Sequence, residues 1–160
     1  MSNKFEPKKN ELEEFLKESN AIEGVYSDEA FEDAWKAWKF LSNYDELDLL
    51  RVLECHHVLM SNLNKRIAGK IRKVSVRVGY HIMPRPDEID QLLERLLQTY
   101  PKTEEEIKNW HVAFENIHPF EDGNGRTGRI VMNWQRIRNY LPLQIIHTGK
   151  EQYNYYDWFQ

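Results

Sequence analysis

The stretch His118-Pro119-Phe120-Glu121-Asp122-Gly123-Asn124-Gly125-Arg126-Thr127-Gly128-Arg129 decides how this chain is read. It sets an imidazole, a carboxylate, glycines on both sides of an asparagine, and two arginines within one short segment. Gly123, Asn124 and Gly125 are the residue types that most readily take positive φ, so successive backbone N–H groups can turn to one side. Such a concave row of donors binds phosphate oxygens, more strongly where a helix begins and adds its positive end. Ile130, Val131, Trp134 and Ile137 follow on one helical face, which predicts a helix starting at about Gly125. The stretch reads as a phosphate cradle with a base and a metal-binding carboxylate beside it.

Outward from this segment the chain is mainly helical. Thr103 with Glu106 forms a capping box for a helix that turns Ile107, Trp110, Phe114 and Ile117 inward. Pro119 disfavours helical geometry at His118 and ends that helix at the segment. Leu12, Phe15, Leu16 and Ile22 predict a first helix to about Glu23, stopped by Gly24, with Ser19 and Glu23 on one face. Ser27 caps a second helix with Phe31, Ala34, Trp35, Trp38 and Leu41 on its buried face. Leu47, Leu50, Leu53, His57 and Met60 mark a third. Val74, Val76 and Val78 alternate with Lys73, Ser75 and Arg77, which is strand periodicity closed by Gly79. Ile89, Leu92, Leu93, Leu96 and Leu97 define the next helix, and Thr148 with Glu151 reads as a capping box for the last.

A length of 160 residues suits one domain with a single substantial core, and 41% hydrophobic with 30% charged residues is the composition of a soluble globular protein. The net charge of −4 argues against a dedicated nucleic-acid binder. Cys55 is alone, so no intrachain disulfide forms and a reducing interior fits. Residues 1–14 are polar and charged without an apolar signal-peptide core, and no apolar stretch reaches the length of a membrane span. A cytoplasmic location is expected.

The segment fits the Fic family motif, His-x-Phe-x-Asp/Glu-Gly-Asn-Gly-Arg-x-x-Arg, at every specified position. The resemblance runs from about residue 45 to residue 138, with Gly69-Lys70-Ile71-Arg72 and the stretch to Pro84 similar to the family's β-hairpin flap. Ser19-Asn20-Ala21-Ile22-Glu23-Gly24 resembles the family's inhibitory motif, Ser/Thr-x-x-x-Glu-Gly/Asn, and its place ahead of the catalytic motif resembles the subclass with an N-terminal inhibitory helix. The resemblance implies an all-α, single-domain Fic-like fold with a short hairpin flap. Residues 1–26 would form the inhibitory region and residues 27–160 the catalytic core. It implies transfer of AMP from ATP to a Ser, Thr or Tyr hydroxyl of a target protein. His118 would be the base, and Phe120 would anchor the loop. Asp122 would hold Mg²⁺ or Mn²⁺. Gly123, Asn124 and Gly125 would form the anion hole, with the Asn124 side chain also at the α-phosphate. Arg126 would contact the triphosphate and Arg129 its γ-phosphate. Glu23, with Ser19 on the same face, would pair with Arg129 and hold ATP out of its productive pose. Val76, Val78, Gly79 and Tyr80 would dock the target segment by strand-like pairing.

The chemistry supports these types independently. Histidine is available as a neutral base near pH 7, a carboxylate suits Mg²⁺, and fixed N–H donors with arginine forks stabilise charge on phosphoryl oxygens. Rival readings are de-AMPylation, transfer of another nucleotidyl or phosphoryl group, and a non-catalytic interaction module. Gly125 and Arg126 follow the AMP-transferring pattern rather than that of the family's kinases. Cys55-His56-His57 cannot chelate jointly, because adjacent helical residues point in different directions, so His57 reads as a packing residue. Lys65, Arg66, Lys70, Arg72, Lys73 and Arg77 concentrate positive charge around the flap. Tyr153, Tyr155, Tyr156 and Trp158 suit core packing, or a contact between copies of the chain in a homo-oligomer.

Overall fold

Capping residues and apolar spacing set most of the helices in the computed structural model, which describes residues 5–160. Residues 1–4 of the expected region 1–26 lie outside the described residues. The chain runs through α1 (Lys9–Ile22), α2 (Asp28–Ser42), α3 (Leu49–Met60), a hairpin of β1 (Arg77–Val78) and β2 (His81–Ile82), then α4 (Ile89–Leu97), α5 (Glu104–Ile117), α6 (Asn124–Arg138) and α7 (Lys150–Tyr156). Single 3₁₀ turns precede α4 and follow α7. Ser27 Oγ accepts from the Ala30 N–H at the start of α2, and Thr103 and Glu106 close a reciprocal box at the start of α5. This is the mostly helical fold with a small antiparallel hairpin that the sequence predicts.

α6 lies at the centre, packed by α5, α2, α3 and α1. Its apolar residues Ile130, Val131 and Trp134 join Phe15, Leu16, Trp38, Leu41, Val52, Leu59, Phe114 and Phe120 in the main core. Ala30, Ala34 and Ala37 of α2 are buried and present small side chains in the layer between α2 and its neighbours. A smaller cluster of Ile22, Ile107, Met132, Ile146 and Tyr155 seals the other side of α6. Because α6 is enclosed, its polar residues are buried too, among them Asn124, Arg126, Thr127, Arg129, Asn133 and Arg136. Buried charge is costly unless it is paired. Arg136 meets that demand by donating to Glu104 Oε1 at 2.8 Å and to the Pro142 carbonyl at 2.7 Å.

Four expectations need correction. The buried face of α3 is Val52, Cys55, His56, Leu59 and Met60, while Leu50 is 73% exposed and His57 is exposed. Both faces carry helical spacing, and His56 turns inward because the Gly69 N–H and the Asp122 carbonyl meet its two ring nitrogens. The hairpin is shorter and later than the run of valines: Arg77 pairs with Ile82 and Val78 with His81, around a two-residue turn in which Gly79 has φ +59. With no second layer to cover it, the ladder stops after two residues on each strand. At α7 the cap is Glu151 on His147, accepting the His147 N–H at 2.9 Å, and not on Thr148. Arg72 also leaves the basic surface group; it is 2% exposed and holds the flap's base from inside.

Candidate active site

Pro119 denies His118 a helical backbone, and His118 closes α5 in the left-handed region at φ +50, ψ +61. Its Nδ1 lies 3.3 Å from the Glu115 carbonyl, so Nδ1–H donates and Nε2 keeps its lone pair. Burial lowers the imidazole pKa, and the nearby Arg72 adds to that, against opposing pulls from the Glu115 carbonyl, Glu23 and Asp122. The neutral ring is thereby favoured.

The loop from 119 to 123 is held from below. Phe120 is fully buried and stacks on the His56 ring, with centroids 3.6 Å apart and planes at 6°. The Asn124 amide accepts from the Phe120 N–H at 2.9 Å and donates to the Phe120 carbonyl at 2.8 Å. The side chain expected at the α-phosphate is therefore engaged by the loop itself. Gly123 at φ +82 turns the chain into α6, and its N–H donates to Asp122 Oδ1 at 2.7 Å. Asn124, Gly125 and Arg126 then occupy the first turn, where a helix has no carbonyl to offer its N–H groups. These donors and the positive helix end are suited to hold an anion.

Arg129, one turn further on, is 2% exposed and fully engaged. Nε donates to Ser19 Oγ at 2.9 Å, while Nη2 donates to the Ser19 carbonyl at 3.0 Å and to Glu23 Oε1 at 2.8 Å. Nη1 donates to the Tyr155 hydroxyl at 3.3 Å. Burial works against the guanidinium charge, but Tyr155 and Glu23 outweigh it and raise the pKa above the ordinary arginine value. A Cβ on Gly125 would lie 2.5 Å from Glu23 Oε1, so the Glu23 carboxylate rests against the first turn of α6. It stands where an anion would bind.

These groups open onto a cleft of about 840 Å³. Glu23, His118, Asp122 to Gly125 and Arg129 line it, with Val78, Gly79 and Ile82 of the hairpin on one side and Tyr155, Tyr156 and Phe159 on another. Val76 supplies a carbonyl to the Met83 N–H at 3.1 Å, and Tyr80 stands at the tip, 98% exposed. Arg126 is not on the cleft wall. It is 3% exposed, near Met60 Sδ at 3.5 Å and Asp122 Oδ1 at 3.6 Å, with Nε and Nη1 buried without a hydrogen bond.

Sequence reasoning missed four groups around the site. Tyr155 reaches Arg129 and bonds His111 Nε2 at 2.7 Å. Burial pushes His111 down to about 3 and the Glu115 carboxyl up to about 7, and Glu115 is a cleft residue one turn before His118. That spacing was a usable signal for Glu115. Arg72 donates from Nε to the His118 carbonyl at 2.7 Å and from its amino groups to the Val74 and Pro84 carbonyls at 2.9 and 2.7 Å. His56 is the fourth, and only its burial and its partners, the Gly69 N–H and the Asp122 carbonyl, distinguish it from His57.

Among the described residues no group of three or more His, Cys, Asp or Glu side chains could cage a metal ion. Asp122 offers one exposed carboxylate at the cleft, which fits a magnesium-like ion that keeps its waters and takes phosphate oxygens.

The Fic/DOC family pattern matches residues 46–135. The chain belongs to the Fic/DOC family. This Fic chain is 32% identical over 124 residues to a protein adenylyltransferase Fic of Culex quinquefasciatus, covering 72% of the chain and 24% of that protein. It is 31% identical to the Drosophila grimshawi protein of the same name, over 69% of the chain and 25% of that protein. It thus spans about a quarter of the length of these curated relatives. Its fold matches a Fic domain containing signaling protein from Bacteroides thetaiotaomicron with a TM-score of 0.78 at 20% identity, over 92% of this chain and 70% of that one. Fic-1 from C. elegans matches with a TM-score of 0.73 at 23% identity, over 92% and 54%.

Proposed function

We propose that this chain is a protein adenylyltransferase, moving AMP from ATP to a Ser, Thr or Tyr hydroxyl of a target protein, and that Glu23 restrains it. The observation that carries the reading is the meeting, in one cleft, of His118, the N–H row opening α6 and buried Arg129. The target oxygen attacks the α-phosphorus, the bond from that phosphorus to the bridging oxygen breaks, and pyrophosphate leaves. His118 Nε2 takes the hydroxyl proton, which its tautomer and lowered pKa suit it to do. N–H groups of Asn124 and Gly125 stabilise the charge on the phosphoryl oxygens. Arg129 anchors the γ-phosphate, and Arg126 adds positive charge behind the loop. Bound at Asp122, Mg²⁺ or Mn²⁺ would neutralise phosphate charge. The exposed hairpin, with Val78 45% and Ile82 68% exposed, takes an extended target segment along its edge.

Glu23 competes with the γ-phosphate for Arg129 and repels it as a like charge. Residues 1–26 are then a regulatory region and residues 27–160 the core. Among the described residues no helix is long and apolar enough to cross a membrane, and we place the reaction in the cytoplasm, where a lone buried Cys55 stays reduced. The test is a Glu23→Gly variant incubated in cell lysate with ATP labelled at the α- or the γ-phosphate. Protein label carried only from the α-position is expected. Label carried only from the γ-position would make the chain a kinase and overturn the reading.

A further inference from the structure

The phosphate loop of this site rests on a side chain from a different helix. His56 of α3 is fully buried. Its Nδ1 faces the Gly69 N–H at 2.9 Å and its Nε2 faces the Asp122 carbonyl at 2.8 Å. An N–H can only donate and a carbonyl can only accept, so the two partners fix the tautomer: Nδ1 bare, Nε2 protonated. The ring face is covered by Phe120. One imidazole thus joins α3, the entry to the flap segment at Gly69, and the loop at Phe120 and Asp122. The fit above it is close. A Cβ on Gly123 would stand 3.1 Å from His56 Nε2 and 2.8 Å from Met60 Sδ, one turn along α3.

We infer that His56 is a positioning residue for nucleotide transfer, setting the height and tilt of the phosphate loop through the Asp122 carbonyl. The inference rests on reading that loop as the phosphate cradle. The N–H groups of Asn124, Gly125 and Arg126 follow directly from the peptide that His56 holds; the other bond described on that peptide, Gly123 N–H to Asp122 Oδ1, stays within the loop, whereas the bond from His56 ties the peptide to a different helix. Phe120 contributes area and Met60 contributes bulk, and neither gives direction. A misplacement of about 1 Å at such donors can lower a rate by roughly a hundredfold.

Three substitutions separate direction from packing. In His56→Gln the amide nitrogen sits as far from Cβ as Nε2 does and can still donate to Asp122. In His56→Asn the amide oxygen replaces Nδ1 and keeps only the Gly69 bond. His56→Phe keeps the stack on Phe120 and loses both bonds. Each is made in the Glu23→Gly protein, with measurement of melting temperature, ATP affinity by calorimetry, and kcat and KM for automodification.

We expect His56→Gln to hold ATP affinity and kcat within about threefold of the parent, and His56→Asn and His56→Phe to lose about tenfold or more in both, the equivalent of one directed bond. His56→Phe with the parent's affinity and turnover would overturn the inference. Equal losses in all three variants that track falling melting temperature would also overturn it, because they show packing alone. If the Glu23→Gly parent binds ATP without transferring AMP, yet His56→Gln still binds better than His56→Asn, the proposed activity fails and the positioning role stands. A parent that binds no ATP overturns both.

Discussion

His118 carries its protons on different terms at its two nitrogens. Nδ1–H is held by the Glu115 carbonyl, which leaves the Nε2 lone pair free for the role of base proposed for it. In the proposed reaction, replacing His118 with Ala removes the base that acts in the transition state, while the N–H row and Arg129 proposed to hold the phosphates stay in place. His118→Ala should therefore lose about 10²–10⁴-fold in transfer rate with ATP affinity nearly unchanged. Labelling at the parental rate would remove His118 from the mechanism. The pH profile follows from the same environment. Burial lowers the His118 pKa below the ordinary value of 6.5, so the neutral base persists into mild acid. Turnover should be level through neutral pH and fall only below pH 6.5 as the ring takes up a proton. A loss of rate centred above neutrality on acidification would contradict that assignment.

At the scale of elements, the flap is fastened by a buried arginine and α1 by a half-exposed histidine. Arg72 satisfies the carbonyls of His118, Val74 and Pro84 at once. Arg72→Met keeps the apolar stem and strands those acceptors. Unpaired buried acceptors cost roughly 1–3 kcal/mol each, so a net loss of about 3 kcal/mol is expected after water reaches some of them. The melting temperature should drop by about 6–12 °C, and limited proteolysis should cut first within residues 73–85. An unchanged cleavage pattern would show that the flap is held by something else.

α1 is tied to α7 by His147, which bonds Glu14 Oε1 at 2.7 Å and Glu151 Oε2 at 2.8 Å. The hydrogen bonds to Glu14 and Glu151 raise its pKa from 6.5 to about 9. A raised folded-state pKa stabilises fully below the unfolded value and fades as pH climbs through about 9. The His147 side chain is 43% exposed and screened by solvent, so the effect is at most about 1 kcal/mol, or about 2–4 °C. His147→Gln should melt lower than the parent at pH 6 and together with it at pH 10, as thermal melts across that range would read out. A constant gap at both ends would mean packing rather than charge.

At the scale of the whole molecule, Arg129 of the central helix meets the first helix through the Glu23 ion pair together with two hydrogen bonds to Ser19. Arg129 lies at the middle of the fold, and Glu23 reaches it from the end of α1. Under the proposed restraint, removing the carboxylate releases one of the bonds to Arg129 Nη2 and leaves that group to the γ-phosphate. Glu23→Gly should raise automodification by about tenfold to a hundredfold, since a hydrogen bond to a charged group contributes roughly 1.5–3 kcal/mol. The gain should appear in turnover more than in ATP affinity. Adding Arg129→Ala should return the rate to the restrained level, because the γ-phosphate loses the anchor proposed for it. Equal rates for wild type and Glu23→Gly would leave Glu23 as a surface residue. A fully active double variant would show that Arg129 does not set the nucleotide's pose.

What the sequence determined by itself is local. Pro119 excludes His118 from α5, Gly123 permits the left-handed turn into α6, Thr103 and Glu106 cap α5, and apolar spacing phases α1, α2, α4, α5 and α6. These rest on contacts between residues a few positions apart, so their neighbours in the chain encode them. The family motif then pointed to the cleft. Tertiary structure alone decided which polar groups go inside. On α3 the leucine spacing and the Val52–Cys55–His56–Leu59 spacing are equally regular, and His56 entered the core because Gly69 and Asp122 converge on it. Arg72 belonged by composition with the basic surface and is buried because carbonyls from three segments meet there. Tyr155 looked like one aromatic among several until α7 set its hydroxyl between Arg129 and His111. A polar side chain is stable in the interior only where partners from distant segments satisfy it, and spacing along one element carries no record of those partners.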